Sequence, residues 1–495
     1  MRVTERPRDG RILRDQLPLV VLAVVVVAYT ALFLWLSWAR HDRFATWDYD
    51  LGMYDQGIWQ LSHGRGFMTV RGMHVFGHHA NLGFLLLTPA YWLGAGPQFL
   101  DVVNVLAVVA VAWPVYLLGR HHLSARWAGT LLVIAYLFHF SPQWKMQETF
   151  HAESLAAPFL VGAWYLAVVG RWRWYWWCVV GALIWKEDVA LAVIGLGLAV
   201  AILCHDRRRG ALTVLAGVGW FLVATQVFMP MFQESGAVYD NLFGPLGSDM
   251  GEVAWNSVRH PSMLSGALAE HGALGGAADL MAPFGFTGLL APLLLLIGAP
   301  QHVVNFASEQ YFTWDLRWHY AFIPFLAVLL ASIRAIVVVR RAVLGWCVVG
   351  AMLIGVTLTL DRGVGPWAPE NYEAWWPSDD ASRSAEIRRL MAMVPDDSVV
   401  STLYYLVPHL SQRIGIFTFP NPWISSNYGV DGVPAPPDPM VVDHLLVSES
   451  DLCSADDGDA GEDEAACGLF RSIVESDEFV TVAGDGDLVL MERRR

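Results

Sequence analysis

Charged residues are scarce in this chain, and lysine is almost missing. Asp, Glu, Lys and Arg make up 16% of the 495 residues, and of the 32 basic residues only Lys145 and Lys186 are lysines. Hydrophobic residues make up 55%, which is more apolar surface than a soluble fold of this length can cover. The composition therefore indicates a polytopic membrane protein. The chain also lacks the basic stripe typical of nucleic-acid-binding proteins, which excludes nucleic acid as a partner.

Long apolar segments recur over the first 360 residues. A helix needs about 20 apolar residues to cross the hydrocarbon layer, and residues 17–39 meet that requirement without a charge. This segment is longer than the apolar part of a signal peptide and no cleavage site follows it, so we interpret it as an uncleaved membrane helix. About eleven spans are predicted, at 17–39, 99–119, 127–141, 152–170, 174–187, 188–204, 211–231, 274–286, 288–304, 319–337 and 342–360. Residues 82–95 are too short for a span and are predicted to form an interfacial helix.

The arginines predict how the chain is oriented. Residues 1–16 are strongly basic, and further basic loops lie at 119–126, 170–174, 204–210 and 340–341. One topology puts all of them in the cytoplasm, as the positive-inside rule requires. We therefore expect a cytoplasmic N-terminus at 1–16, a membrane domain at 17–360 with its first outer loop at 40–98, and residues 361–495 outside.

Acidic residues are concentrated in residues 361–495, which hold 25 Asp and Glu but 9 Lys and Arg, a net charge of −16. Short apolar runs alternate there with helical stretches such as 382–394, which predicts a small extracytoplasmic α/β domain. Residues 448–467 lack the spacing of a calcium loop and are interpreted as a solvated acidic loop. Cys453 and Cys467 bracket this loop, and both a disulfide, worth about 3 kcal/mol, and free thiols are open.

Ionisable side chains gather in four loops on the predicted outer side. They are Asp48, Asp50, Asp55, Gln56, His78 and His79 in the first loop, Lys145, Glu148, His151 and Glu153 in the second, Lys186, Glu187 and Asp188 in the third, and Asp315, Arg317, His319 and Tyr320 in the fourth. A carboxylate can take a proton from an attacking hydroxyl. Cations or a divalent metal can hold a departing phosphate. The clustering at one membrane depth thus favours a site on the outer face.

Plainer interpretations exist for each of these residues. Asp50 and Asp55 suit helix caps, and adjacent histidines such as His78 and His79 do not share one helix face. The run from Lys186 to Asp188 suits an ion cluster at a helix turn, with the lysine reaching toward water. Wet loops alone do not explain charges within apolar flanks such as LIWKEDVALAV.

Several blocks resemble a known family. YDLGMYDQGIWQL, VFGHHANLGFLLLTPAYWL, FHAESLAAPFL, WKEDVAL and RWHYAFIPFL, followed by VPDDSVVSTLYYLVPHLSQRIGIFTFPNP, resemble the blocks of the bacterial membrane family called domain of unknown function 2079. The resemblance spans residues 45 to 445. That family is similar to the GT-C class of membrane glycosyltransferases, which take a sugar from a polyprenyl phosphate.

The resemblance implies roles for individual residues. Asp50 would be the general base, with Asp55 as the second choice and Asp48 as the third. Lys186, Arg317 and His319 would neutralise the phosphate, and Glu153 would orient a substrate or a metal. Substrate-binding roles are also implied for Gln56, His78, His79, His151, Glu187, Asp188 and Tyr320. The chain departs from the class in having spaced aspartates, and Gly77-His78-His79 weakens the case for a metal there.

The function implied is transfer of a sugar with inversion, from a polyprenyl-phosphate donor to an envelope glycan or protein acceptor. The expected location is a bacterial plasma membrane, and the expected partners are membrane lipid and lipid-linked sugar. A divalent cation is left open as a cofactor. Two non-catalytic alternatives are a scaffold that binds polyprenyl lipid and a multi-span transporter. The enzyme requires Asp50, Glu153, Lys186 and His319 in one cavity, whereas a transporter requires a charged path to the inner face.

Overall fold

The computed structural model describes residues 9–234, 237–372, 376, 380–430, 433–453, 460–485 and 487–494. Helices dominate this part of the chain. They include α1 Asp9–Asp42, α2 Met53–Ser62, α3 Pro97–Ala110, α4 Ala112–Leu123, α5 Arg126–Phe138, α6 Phe140–Glu148, α7 Glu153–Val168, α8 Trp172–Leu183, α9 Val189–Leu203, α10 Arg207–Val223, α11 Met250–Arg259, α12 Pro261–Glu270, α13 Ala273–Met281, α14 Ala299–Ala307, α15 Phe322–Val338, α16 Ala342–Thr359, α17 Ala381–Met391 and α18 Ala460–Glu475. One-turn helices lie at Val75–His78, Thr88–Tyr91, Tyr311–Trp314, Val407–Leu410 and Glu449–Cys453.

Within the described residues, five helical segments are long and apolar enough to cross a membrane. They are Gln16–Asp42, Pro97–Leu123, Arg207–Phe232, Tyr311–Val338 and Ala342–Thr359, and α5, α7 and α9 are shorter apolar helices. The prediction of a helical polytopic membrane protein is confirmed, whereas the count of eleven spans is matched only in part. The segment that contains α15 is central, since 83% of its apolar window is buried against 17% for α1.

Two predicted spans, 274–286 and 288–304, are not continuous α-helices. α13 ends at Met281, three short 3-10 turns follow over residues 282–297, and α14 begins at Ala299. Pro283 and Pro292 lack the N–H group that a helix interior needs, and Gly285 adopts a left-handed φ of 57°. The predicted interfacial helix 82–95 is likewise a 3-10 turn, Leu82–Leu86, followed by the short helix Thr88–Tyr91.

The C-terminal residues form a mixed five-stranded sheet. A separate two-stranded hairpin, of β1 (Phe67–Met68) and β2 (Met73–His74), lies in the first loop. The strands of the five-stranded sheet are β3 Val400–Thr402, β4 Ile416–Thr418, β5 His444–Ser448, β6 Phe479–Asp485 and β7 Leu488–Arg493, in the order β4-β3-β5-β7-β6. β3 is parallel to β4 and β5, whereas β7 is antiparallel to β5 and β6. The predicted helix 382–394 corresponds to α17. Part of the predicted acidic loop 448–467 is helical, and its residues 454–459 lie outside the described residues.

The region of this sheet rests directly on the first loop. Thr69 Oγ1 donates to the carbonyl oxygen of Ile416 at 2.8 Å, and Arg71 Nη1 donates to the carbonyl oxygen of Gly429 at 2.6 Å. Gly52 permits the approach, because a Cβ atom there would lie 3.0 Å from Val407 Cγ1. The C-terminal region therefore packs against one side of the first loop.

Candidate functional site

Asp50 lies in an unusual backbone turn between α1 and α2. Its φ of 67° and ψ of −81° correspond to a strained three-residue turn that non-glycine residues rarely adopt. Such conformations cost on the order of 1–3 kcal/mol and persist only where surrounding contacts hold them. The side chain is partly accessible, with 23% of its surface exposed. Asp50 is therefore a strained, reachable carboxylate at the edge of the bundle.

A chain of polar contacts runs inward from Asp50 through the second and fourth loops. Asp50 Oδ1 lies 2.9 Å from His151 Nε2, and the His151 ring stacks on His319 with ring centroids 3.5 Å apart. His319 Nδ1 in turn lies 2.7 Å from Glu148 Oε1. α6 ends at Glu148 and α7 begins at Glu153, so the short connection between these two helices brings its side chains to the first loop.

The two lysines of the chain are both buried beside these contacts. Lys145 is 1% exposed and Lys186 is 6% exposed. Lys145 Nζ lies 3.8 Å from Glu153 Oε1, and Lys186 Nζ lies 3.3 Å from Asp188 Oδ2. The Lys186 ammonium also lies 5.9 Å from the centre of the Tyr320 ring. Because buried charges require partners, these pairs account for how two ammonium groups remain inside the protein.

Gly83 allows the turn that carries Lys186 to approach the first loop. Its N–H donates to the carbonyl oxygen of Ile184 at 2.7 Å, and a Cβ atom at Gly83 would lie 2.3 Å from the Trp185 ring. The same turn is held by Glu187, whose Oε1 lies 2.8 Å from His79 Nδ1. We call Asp50, Lys145, Glu148, His151, Glu153, Lys186 and His319 the polar cluster.

Burial and charge act in opposite directions on the Asp50 carboxyl. Burial alone would raise its pKa, but the positive charges of His151 and Lys145 outweigh this effect, so the pKa of Asp50 lies below its ordinary value. Burial alone would lower the pKa of His151, but the Asp50 carboxylate raises it above the ordinary value. The contact with His151 therefore favours the ionised form of the Asp50 carboxyl.

Glu148, His151 and His319 offer a set of ligands that suits a divalent metal. One ligand atom from each residue lies within 4.8 Å of the others, and Glu148 Oε2 is buried without a hydrogen-bond partner. A carboxylate and two imidazoles are ordinary ligands for zinc and related ions. His79, which was predicted to bind substrate, instead contacts Glu187 and Tyr239 through its Nδ1 atom.

Three predicted residues of the first loop contact the C-terminal region rather than the polar cluster. Asp48 accepts a hydrogen bond from Thr418, Asp55 accepts one from Ser411, and Gln56 Nε2 donates to the carbonyl oxygen of Arg413 at 3.4 Å. Burial raises the pKa of both Asp48 and Asp55 to about 6. All three side chains are buried, and it is their hydrogen bonds to the C-terminal region that suit a structural role.

Arg317 and the two cysteines of the C-terminal region make their contacts away from the polar cluster. Arg317 is on the surface, where its Nη2 atom lies 2.6 Å from Asp315 Oδ2. Cys453 and Cys467 form a disulfide, with Cα atoms 5.0 Å apart.

Lys145 and Glu148 were recognised in the sequence as polar but received no role. The rarity of lysine was a signal for these positions. Because the exposed cations of this chain are arginines, a lysine at a particular position indicates a specific role. Arg40 was missed entirely. Its Nη1 atom donates to the carbonyl oxygens of Gln147 and Glu148 at 2.5 and 3.1 Å and so joins the end of α1 to the second loop.

The sequence profile of the family described as "Predicted membrane protein (DUF2079)" matches residues 40–456. No curated protein sequence matches the chain. Among solved structures, ArnT from Cupriavidus metallidurans in the apo state is similar with a TM-score of 0.50 and 14% identity, over 95% of this chain and 98% of that one. ArnT bound to undecaprenyl phosphate has a TM-score of 0.48 and 14% identity, over 94% and 97%.

A third similar structure is the oligosaccharyltransferase of Archaeoglobus fulgidus in its apo form. Its TM-score is 0.39 at 11% identity, over 86% of this chain and 70% of that one. The similarity to apo ArnT shows that the two proteins share an overall fold.

Proposed function

We propose that this protein, which belongs to the family of predicted membrane proteins called DUF2079, is a membrane glycosyltransferase of the GT-C type. In this proposal it moves a sugar from a polyprenyl-phosphate donor to an acceptor hydroxyl on the outer face. The observation that carries the proposal is the position of the partly accessible Asp50 carboxyl group, 2.9 Å from His151, beside the two lysines of the chain. One group can accept a proton there while others hold an anion.

The reaction begins with Asp50 as the general base. Asp50 takes the proton of the acceptor hydroxyl while the oxygen attacks the anomeric carbon of the sugar. The bond from that carbon to the phosphate oxygen breaks, and the electron pair leaves with the phosphate. A single displacement of this kind inverts the anomeric centre. The contact with His151 and the nearby Lys145 ammonium favour the ionised form of Asp50 before the reaction, so that the carboxylate is ready to accept the proton.

Lys145 and Lys186 are assigned to the departing phosphate. Both ammonium groups are buried and each pairs with one carboxylate, so an arriving phosphate would find cations in a site that holds little water. Glu153 keeps Lys145 charged and oriented. The sequence assigned Arg317 to the phosphate. Because Arg317 pairs with Asp315 on the surface, this proposal gives that role to Lys145.

Glu148, His151 and His319 are the residues that would hold a divalent cation. Such an ion, when bound, would polarise a phosphate or sugar oxygen as a Lewis acid. The residues themselves carry the remaining work: His319 and Glu148 share one hydrogen-bonding contact at 2.7 Å, and the stack of His319 on His151 orients the imidazole that faces Asp50.

The orientation is part of the proposal and is supported by the arginines. The basic segments 119–126, 170–174 and 204–210 lie where α4, α8 and α10 end or begin, and the polar cluster lies at the opposite ends of α5, α7 and α9. The positive-inside rule then puts the polar cluster and the extracytoplasmic domain 361–495 outside.

The test is Asp50→Asn, which removes the base and keeps the shape of the side chain. Cells that carry this variant should lose transfer by at least about 100-fold, seen as accumulation of a lipid-linked sugar and loss of the matching envelope glycan. Asp315→Asn, a surface change in the fourth loop, is the control and should leave both glycans as in wild type. Unchanged glycans in a well-folded Asp50→Asn protein would contradict the proposed catalysis.

A further inference from the structure

The two aspartates that flank Asp50 are both held by the C-terminal region. Thr418 Oγ1 donates to Asp48 Oδ2 at 2.6 Å, and Ser411 Oγ donates to Asp55 Oδ2 at 2.7 Å. Asp55 is completely buried and also accepts a hydrogen bond from Tyr91 at 2.7 Å. The strained turn of Asp50 thus lies between two fixed points, and at both of them a hydroxyl group of the C-terminal region supplies a bond.

The backbone between these two points is contacted as well. Tyr49 Oη donates to the carbonyl oxygen of Asn427 at 2.7 Å. Gly52 packs so closely that a Cβ atom there would lie 3.0 Å from Val407 Cγ1 and 3.3 Å from Pro408 N. Contacts from residues 407–427 therefore recur along the whole turn, before and after Asp50.

The local contacts of the turn are backbone hydrogen bonds, from Gly52 N–H to the Trp47 carbonyl at 3.2 Å and from Met53 N–H to the Asp48 and Asp50 carbonyls. Neither Trp47 nor Gly52, which precede the turn and α2, makes a side-chain cap. A left-handed φ at a non-glycine residue persists only where the surroundings determine it. The Asp50 side chain contacts His151 of the second loop, and the C-terminal region adds tertiary contacts on both sides of the turn.

We propose that Thr418 and Ser411 are positioning residues, which hold the loop 48–55 so that the Asp50 carboxylate faces the reacting hydroxyl. This inference rests on the proposed function of Asp50 as the base. The C-terminal region then takes part in catalysis without contacting the substrate. It holds Asp50 in a backbone conformation that the loop would not keep by itself. Asp48 and Asp55 are then anchors of the loop, and neither is a second base.

The first experiment measures the loop directly, by hydrogen exchange of the full-length protein in lipid nanodiscs. Thr418→Val and Ser411→Ala should each speed exchange in residues 48–55 at least tenfold, with β3 and β5 unchanged. The matched controls are Thr402→Val and Ser401→Ala, because those hydroxyls donate to Leu446 and Asn421 within the C-terminal region. The controls should leave exchange in 48–55 as in wild type. Wild-type exchange in both Thr418→Val and Ser411→Ala would overturn the inference.

The second experiment measures turnover. The probe is the polyprenyl lipid extract from cells that lack the protein. For Thr418→Val, kcat should fall at least tenfold with KM within twofold of wild type, and Thr418→Ser should restore kcat because it keeps the hydroxyl. If Thr418→Val does not fold, Ser411→Ala with the same readouts decides. Full kcat in both variants beside an inactive Asp50→Asn overturns the positioning role alone. An active Asp50→Asn overturns the proposed function, while the exchange data still report on the contacts.

Discussion

The polar cluster and the acidic C-terminal region use carboxylates in opposite ways. Residues 361–495 carry a net charge of −16, yet their ion pairs are exposed, as in Arg471 and Glu449 at 3.2 Å with 60% and 53% exposure. The polar cluster has few charges, but Lys145 is 1% exposed and its partner Glu153 is 6% exposed. The number of charges therefore does not indicate where the chemistry lies. Burial does, because a charge kept out of water requires a partner and shifts its neighbours.

The largest expected effect comes from breaking a buried pair. Lys145→Met should lower the free energy of unfolding by about 3–5 kcal/mol, because it leaves the Glu153 carboxylate buried without its cation. Thermal unfolding of the purified protein in one detergent measures this. The double variant with Glu153→Gln should recover a large part of the loss. Equal stability of the single variant and wild type would remove the distinction between the two regions.

The buried carboxylate of Asp55 should make stability depend on pH. Burial raises its pKa to about 6 from an ordinary 3.8, so the folded protein holds the proton more tightly than the unfolded chain. Its contribution is full below pH 3.8 and is lost as the pH rises through 6, by up to about 3 kcal/mol. Asp55→Asn should flatten this part of the profile between pH 4 and 7. Glu478→Gln, a change at an exposed carboxylate, is the control, and a profile as steep as wild type in Asp55→Asn would contradict the prediction.

The acidic region should depend on its disulfide more than on its charges. Cys453 and Cys467 enclose a loop with a sequence separation of 14, which predicts a loss of up to about 3 kcal/mol in the stability of that region when both become serine. Limited proteolysis of the region measures this. Transfer by the polar cluster should stay within twofold of wild type, since neither cysteine contacts the first loop in the described structure. A loss of transfer would instead indicate that the disulfide also affects the polar cluster.

The smallest effects are expected at the exposed ion pairs. Arg471→Met and Arg317→Met should each change the free energy of unfolding by less than about 1 kcal/mol, because exposed pairs are screened by water and salt. For Arg317→Met, transfer should also remain within twofold of wild type. A large loss of transfer there would return Arg317 to the phosphate and revise the assignment of Lys145.

Much of the site was predictable because polar residues within apolar flanks are rare and costly. Asp50, His151, Glu153, Lys186 and His319 were all named from such blocks, and the structure brings them together. Asp48 and Asp55 were named for the same reason, yet they bind Thr418 and Ser411. A pattern of apolar flanks indicates burial, but it does not distinguish a carboxylate that faces a substrate from one that binds a neighbouring domain.

The amino-acid sequence by itself determined that this is a helical membrane protein, with its polar loops on one side and its acid in the C-terminal region. Those features follow from local composition, since each apolar segment needs a bilayer and each basic loop prefers one side. Only the tertiary structure decided which aspartate is strained and which are anchored. Those outcomes depend on residues more than 100 positions apart, such as Asp50 and His151, and such contacts leave no periodic mark in a single sequence.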